Sequence, residues 1–275
     1  MTIGNAETPV QAYVSEPAGR PRGALIVIHE VWGLVDHTRD VADRFAAEGY
    51  LVLAPNLLAD TAMTPELAKE LQASLFDPQQ RSKAQPKLRE VMAPLHAPDF
   101  AARTNAAVQA CFDHLNGIPA VAGRVAVAGF CFGGTYSFSL ATQEPRLRAA
   151  IPFYGHADFS DEKLRNISCP VLAFYGENDK ALTDKLPELE ARMTAAGVDF
   201  NAVVYPGTGH AFFNDTNDWT YNAGATADAW TRTLAFLTRM SPPEPGRSSR
   251  ALLEGHRGPQ CRNPPKSVAG AIFDC

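Results

Sequence analysis

The sequence has no stretch with a marked excess of positive charge, and this absence excludes one class of partner. Its 275 residues contain 25 Lys and Arg against 30 Asp and Glu, which gives a formal net charge of -5. A protein that binds nucleic acid through its phosphates presents clustered basic residues, and no long basic run occurs here. We therefore predict that nucleic acid is not a partner.

Cysteine is scarce and scattered along the chain. The five cysteines are odd in number and far apart, at positions 111, 131, 169, 261 and 275. They provide neither a disulfide framework nor the C-x-x-C spacing of a zinc site. The sequence therefore predicts neither structural disulfides nor a metal site.

Long apolar runs are also absent. No stretch approaches the roughly 18 uncharged apolar residues of a membrane span. The N-terminal segment MTIGNAETPVQAYVSEPAG lacks the basic start and apolar core of a secretory signal. We expect a soluble protein of the reducing cytoplasm without a membrane partner.

Short, nearly continuous apolar runs alternate with longer amphipathic segments along most of the chain. Such runs are typical of strands buried on both faces, and the amphipathic segments are typical of helices. Their alternation predicts a doubly wound, mostly parallel sheet with helices on both faces. The predicted strands are 10–17 (with the alternation of an edge strand), 23–30, 50–56, 124–130, 149–155, 171–179 and 200–207. The predicted helices are 37–48, pieces of 65–92, 101–116, 132–143, 183–196 and 220–239.

The composition changes after Met240. Residues 241–275 are rich in Pro, Gly, Ser and Arg and have no sustained period. Such a segment cannot bury enough apolar surface to fold alone, so we predict a disordered tail, with a partner-binding tail as the alternative. The predicted globular domain is 1–240.

The segment GFCFGG (129–134) places a cysteine between glycines where a predicted strand gives way to a helix. A nucleophile elbow has this pattern, with small residues two positions before and two after the nucleophile. Gly129 and Gly133 occupy those positions around Cys131, and the helix N-terminus would stabilise a thiolate there. The alternative is a buried structural thiol in a Gly-rich loop.

An elbow also requires an acid and then a histidine, each just after a later strand. Asp179 in VLAFYGENDK and His210 in VVYPGTGHAFF satisfy this requirement. The order Cys–Asp–His is that of the hydrolases and differs from the chymotrypsin and subtilisin orders. The competing acids are Glu177 and Asp184, and the competing bases are His156 and His29.

Four segments, HEVWGL (29–34), GFCFGG (129–134), GENDK (176–180) and GTGHAFF (207–213), resemble the dienelactone hydrolase family of α/β-hydrolases. The likeness runs over nearly all of residues 8–240. It implies a nucleophile at Cys131, an acid at Asp179 and a base at His210. The family's distinctive additional glutamate falls on Glu30, where a surface carboxylate at a strand end is the alternative.

The resemblance implies hydrolysis of a small lactone or ester through a cysteinyl acyl-enzyme, without a cofactor. The N–H groups of Phe132 and, by the resemblance, Val31 would stabilise the oxyanion. In the family, the glutamate at the position of Glu30 holds the resting thiol and takes part in its activation. The expected partner is the small-molecule substrate, and we expect a monomer or a small homo-oligomer.

The substrate contacts also follow from the resemblance. Founding members of the family hold a substrate carboxylate with two arginines, and the first corresponds to Arg81. At the position of the second, this sequence has Asn214, which lacks the charge and so weakens or relocates carboxylate recognition. Trp32 and Phe213 are predicted apolar contacts, and 58–100 could form a lid. A general carboxylesterase or thioesterase and a catalytically silent binding protein remain as alternatives.

Overall fold

The computed structural model describes residues 1–4, 9–76 and 79–240. Residues 1–241 group into one compact unit. The predicted tail, 241–275, lies outside the described residues, so its disorder stays a prediction. Among the helices that are described, none combines the length and the apolarity needed to cross a bilayer.

One eight-stranded sheet forms the centre of this unit. Its strands are β1 (Thr2–Ile3), β2 (Val10–Ser15), β3 (Gly23–Ile28), β4 (Tyr50–Pro55), β5 (Val125–Phe130), β6 (Ala150–Phe153), β7 (Val171–Gly176) and β8 (Phe200–Tyr205). Their order in the sheet is β1-β2-β4-β3-β5-β6-β7-β8. The six strands from β4 to β8 in this order are parallel, whereas β1 and β2 pair antiparallel to their neighbours.

Helices connect the parallel strands. They are α1 (Asp36–Ala47), α2 (Pro65–Phe76), α3 (Arg81–Met92), α4 (Pro98–Asn116), α5 (Phe132–Gln143), α6 (Asp161–Arg165), α7 (Lys180–Thr183), α8 (Leu186–Ala195) and α9 (Ala223–Met240), with a 3₁₀ turn at Ala93–His96. Every residue of β3, β5 and β7 is buried. Because successive strand residues point to opposite faces, both faces of the sheet are covered.

The predicted alternation of strands and helices is confirmed, with three differences. The strand predicted at 10–17 is not at the edge, because β1 pairs beyond it through Ile3 and Val10. The short helix α6 was not predicted from the pattern. The helix predicted at 183–196 is two helices, α7 and α8, separated at Asp184 and Lys185.

The turn between β5 and α5 brings backbone into direct contact with backbone. Cys131 at this turn has φ 55° and ψ -110°, a strained conformation for a residue with a side chain. A Cβ on Gly129 would lie 2.1 Å from the Gly133 carbonyl oxygen, and a Cβ on Gly133 would lie 2.3 Å from the Ile28 carbonyl oxygen. Glycine is therefore required at both positions, as the predicted elbow demands.

A second, smaller hydrophobic cluster forms within the region predicted as a lid. Its buried members come from α2, α3, the start of α4 and the segment before α2; they are Leu58, Met63, Ala68, Leu71, Ala84, Val91 and Phe100. Trp32 and Phe132 pack against this cluster, so it lies beside the turns that follow β3 and β5. We call these elements the cap.

The close approach at the elbow gives a stability prediction. The substitution Gly129→Ala places a methyl group 2.1 Å from the Gly133 carbonyl oxygen, and a backbone atom cannot move aside as the end of a side chain can. We therefore expect the free energy of unfolding to fall by about 1–3 kcal/mol. Gly19→Ala is the matched control, because no atom lies within 4 Å of its Cβ position. Thermal unfolding of both variants checks the prediction, and equal melting temperatures would contradict it.

Candidate active site

Five polar side chains gather at the carboxyl edge of the parallel strands. Glu30 follows β3, Cys131 follows β5 and Tyr154 follows β6, while Asp179 and His210 follow β7 and β8. In an open parallel sheet this edge is where ligands bind, because the loops there converge from neighbouring strands. The structure thus brings together the predicted site residues from four distant parts of the sequence.

His210 links Cys131 to Asp179. The His210 Nδ1 lies 2.5 Å from Asp179 Oδ2, so this nitrogen donates to the carboxylate and the other ring nitrogen is left for Cys131. The Cys131 side chain lies close enough to His210 to raise the pKa of the imidazole. The backbone N–H of Cys131 donates to the Phe153 carbonyl oxygen over 3.0 Å, which fixes the turn that carries the sulfur.

The pKa of His210 reflects its position between the other two residues. Burial alone lowers the pKa, but the hydrogen bonds and charges of Asp179 and Cys131 raise it to about 10. The imidazole is therefore stabilised as a cation between a carboxylate and a sulfur. Its side chain is still 41% exposed, so water reaches it.

The competing acids and bases lie in other environments. Glu177 accepts the Gly207 N–H over 2.8 Å and serves a turn, whereas Asp179 is the carboxylate that contacts His210. His156 is exposed, and its ion-pair partner is Asp158 at 3.8 Å. The geometry thus favours Asp179 and His210 over these alternatives.

Glu30 is buried, with 4% of its surface exposed, rather than lying on the surface. Its Oε1 accepts the Tyr154 hydroxyl over 3.1 Å, and its Oε2 accepts the Asn214 side-chain N–H over 2.8 Å. Both donors are neutral, and among the described residues no cation forms an ion pair with Glu30. A negative group is thus held inside the site by dipoles alone.

Sequence reasoning did not find the contact between Asn214 and Glu30. Asn214 is 2% exposed, and its Oδ1 accepts from both the backbone N–H and the hydroxyl of Thr216. These two bonds hold the amide oxygen against Thr216, so the amide N–H₂ group is directed at Glu30. Its position four residues after His210 was the only sequence signal, and it indicated a lost cation rather than a partner for the glutamate.

The hydroxyl of Tyr154 is a polar contact within the site. Its backbone has φ 38°, and its ring centroid lies 5.0 Å from that of His210. Burial and the charges of Glu30 and Cys131 raise its pKa well above the ordinary value. The hydroxyl therefore keeps its proton and donates a hydrogen bond to Glu30.

Two backbone N–H groups lie in the turns that follow β3 and β5. Within the described ranges, neither Val31 nor Phe132 donates its N–H to another protein atom. Phe132 is the first residue of α5, where N–H groups have no acceptor within the helix. Both groups are therefore free to bind an oxygen atom, as the sequence analysis predicts for an oxyanion hole.

The predicted substrate contacts have different outcomes. Trp32 is partly buried against the cap beside the site. Arg81 begins α3, but its side chain lies outside the described residues, so its role stays a prediction. Phe213 is 1% exposed and packs on Phe130 and Phe153 in the main core. The predicted substrate contact of Phe213 does not hold in this structure, because its ring is enclosed by other side chains.

The described residues contain no group of three or more His, Cys, Asp or Glu side chains that could hold a metal ion.

A parallel sheet with a cysteine elbow after β5, an acid after β7 and a histidine after β8 defines an α/β-hydrolase. Within this class, the model of the dienelactone hydrolase family matches residues 10–241. The chain belongs to the dienelactone hydrolase family, as its four motifs predict, and it is a hydrolase of the ester and lactone class.

Relatives of this family share most of their length with the chain. A protein of Saccharolobus solfataricus described as "Putative carboxymethylenebutenolidase" is 31% identical over 246 residues, which cover 84% of this chain and 95% of the relative. A protein of Escherichia coli K12 with the same description is 30% identical and covers 82% and 81%. The crystal structure of a "Putative Dienelactone Hydrolase" from Klebsiella pneumoniae has a TM-score of 0.71 at 27% identity, with coverage of 86% and 96%.

The environments of the cysteines predict selective alkylation. Burial raises the pKa of Cys169 to about 12 and raises that of Cys111 further, so neither forms a thiolate at neutral pH. We expect a brief treatment with iodoacetamide to modify Cys131 before either of them, in step with loss of ester hydrolysis. Peptide mapping measures the modification, and Cys131→Ala gives the background labelling. Full activity with Cys131 completely alkylated would contradict the prediction.

Proposed function

We propose that the protein hydrolyses a small lactone or ester through a Cys131–His210–Asp179 triad and a cysteinyl acyl-enzyme. The observation that carries this proposal is the chain of three side chains in which His210 is hydrogen-bonded to Asp179 and lies next to Cys131, with the cysteine on a strained turn. Such a chain activates a nucleophile by giving its proton a defined acceptor.

The acylation step follows from this arrangement. The Cys131 sulfur attacks the carbonyl carbon, while His210 holds the proton that the thiol has lost. When the tetrahedral intermediate collapses, the carbon–oxygen bond of the ester breaks and His210 gives this proton to the leaving alcohol. In a lactone the alcohol stays attached to the acyl group, so the product is a single hydroxy acid.

Deacylation uses the same residues in reverse. Water reaches the exposed side of His210, which takes its proton as the water oxygen attacks the thioester carbonyl. The carbon–sulfur bond then breaks, the acid is released, and the Cys131 sulfur recovers its proton from His210. In both steps the negative oxygen would accept hydrogen bonds from the N–H groups of Val31 and Phe132.

Glu30 in this proposal controls the charge on the thiol. Its buried carboxylate and the Cys131 sulfur both lie close enough to the Tyr154 hydroxyl to act on it, so a thiolate would place a second negative charge in the same part of the site. If the carboxylate takes up the thiol proton on substrate binding and passes it to His210, the thiolate forms when it is needed and the imidazole holds the proton during the attack. The neutral donors Tyr154 and Asn214 hold the carboxylate in place for this exchange.

The contact between Asn214 and Glu30 favours a second candidate function. Asn214 is neutral and bonds to Glu30 at the position where founding members of the family have an arginine, so a general carboxylesterase or thioesterase of the same fold is the alternative. The descriptions of the relatives support the lactone substrate. A catalytically silent binding protein is disfavoured, because it would have no use for a complete chain of three residues.

The partner, the oligomeric state and the location are proposed from the sequence alone. We propose a small molecule as the partner, in place of nucleic acid or a membrane, and a monomer or small homo-oligomer located in the cytoplasm. The charge pattern argues against nucleic acid as a partner, and the absence of long apolar runs argues against a membrane.

Hydrolysis assays test the proposed function directly. We expect turnover of 4-nitrophenyl acetate, of dienelactone or of other small lactones, and a mass increase on Cys131 equal to the acyl group when the reaction is quenched early. Cys131→Ala should lose the acyl-enzyme and nearly all turnover. A higher kcat/KM for neutral esters or thioesters than for every lactone would support the alternative function, and no turnover of any of them would support the silent protein.

Replacement of Glu30 tests its role in proton control. Glu30→Gln keeps the shape and can still hydrogen-bond to Tyr154 and Asn214, but it removes the charge. We expect kcat to fall ~10- to 1000-fold, with KM changing far less and the acidic limb of the pH–rate profile altered. The control is Glu177→Gln, which changes a carboxylate that only caps a turn. A wild-type kcat and profile for Glu30→Gln would leave Glu30 as a structural carboxylate.

A further inference from the structure

We propose that His29 is a positioning residue of the oxyanion hole, because its imidazole fixes the peptide unit that joins Glu30 to Val31. This inference rests on the proposed function, since it concerns the same site. His29 lies at the end of β3 and is completely buried. It does not touch the reacting groups, so its effect would act through the backbone.

The two hydrogen bonds of the ring define its protonation. The Leu57 N–H donates to His29 Nε2 over 3.0 Å, and His29 Nδ1 lies 2.6 Å from the Glu30 carbonyl oxygen. A backbone N–H can only donate and a carbonyl can only accept. The imidazole is therefore neutral and carries its proton on Nδ1. Burial lowers its pKa to about 4, which agrees with a neutral ring.

The contact with Glu30 orients the neighbouring N–H group. A planar trans peptide directs its C=O and its N–H in opposite directions, and the described residues contain no cis peptide. The Glu30 carbonyl accepts from His29 and also from the Gly33 N–H over 3.2 Å. The N–H at the other side of this unit belongs to Val31, one of the two free donors. Rotation of the unit away from the site would break both bonds.

His29 also contacts the segment that supplies the second donor. Its ring stacks on that of Phe132, with 5.7 Å between centroids and an interplanar angle of 4°. Its own carbonyl oxygen accepts the Gly133 N–H over 3.1 Å. One residue is thus bonded to the turn after β3 and to the elbow after β5. The carbonyl contact belongs to the backbone, so it ties together the segments that carry the donors Val31 and Phe132 whatever side chain stands at position 29.

The alternative is that His29 only fills space in the core, and a matched pair of variants distinguishes the two. Asn and Leu have similar shapes, and either substitution removes both the ring stacking and the acceptor for Leu57. Only His29→Asn retains an N–H near the position of Nδ1 that can reach the Glu30 carbonyl. We expect kcat within ~3-fold of wild type for His29→Asn and a ~10- to 100-fold lower kcat for His29→Leu, with KM changed little in both.

Two further measurements separate an oxyanion effect from a general loss of structure. Alkylation of Cys131 by iodoacetamide builds no charge on oxygen, so its rate should be unchanged in His29→Leu. A trifluoromethyl ketone, which forms a tetrahedral oxyanion with a thiolate, should bind more weakly by the same factor as the fall in kcat/KM. Equal activity of the two variants, or an equal loss of alkylation rate, would overturn the proposal.

The wild-type protein provides a test if His29→Leu does not fold. Nitrogen NMR of the labelled protein should find the His29 ring protonated on Nδ1 and not on Nε2 throughout the neutral pH range; the opposite tautomer would overturn the proposal. If the proposed function itself were wrong, Cys131→Ala would hydrolyse esters at the wild-type rate. That result does not depend on the His29 variants, so the two failures can be told apart.

Discussion

The close packing of backbone beneath the elbow is the constraint on which the site depends. Gly129 and Gly133 let α5 approach the ends of β3 and β5 at distances that no side chain would allow. The strained backbone of Cys131 costs of order 1–3 kcal/mol, which the surrounding sheet must overcome. This turn places the Cys131 sulfur at the edge of the sheet where Asp179 and His210 follow their own strands. Wider packing would place the nucleophile out of reach of its partners.

Charge in the site is distributed unevenly around this turn. Asp179 and Glu30 are both carboxylates, and His210 lies between the first of them and the sulfur, where its cationic form is stabilised. A buried carboxylate without a cation is costly unless hydrogen bonds replace its hydration. The donors Tyr154 and Asn214 provide those bonds to one oxygen each. Because Tyr154 also packs beside His210, the carboxylate and the histidine belong to one connected network.

The sequence predicts best where chemistry is local to a strand end. Cys131, Asp179 and His210 could be found because each follows an apolar run in a short motif, and parallel strands place such ends together. The contact of Asn214 with Glu30 joins residues 184 positions apart and depends on how a loop folds back, which no period in the sequence records. The substrate contact of Phe213 was predicted wrongly for a similar reason, because the sequence does not show whether a ring in an aromatic-rich loop faces the core or the site. The antiparallel strand β1 was missed because it has only two residues.

Phe132 has a place in both parts of the protein, since it packs against the main core and also against the cap. The cap otherwise has its own buried residues, separate from those around the sheet. A lineage of such enzymes can therefore change the apolar residues of the cap, and with them the space above the nucleophile, without repacking the interior that holds the strands. Phe132 lacks this freedom because its backbone belongs to the elbow and its ring to the cap. Substitutions that change substrate preference are thus expected among the cap residues, whereas the residue after the cysteine is constrained.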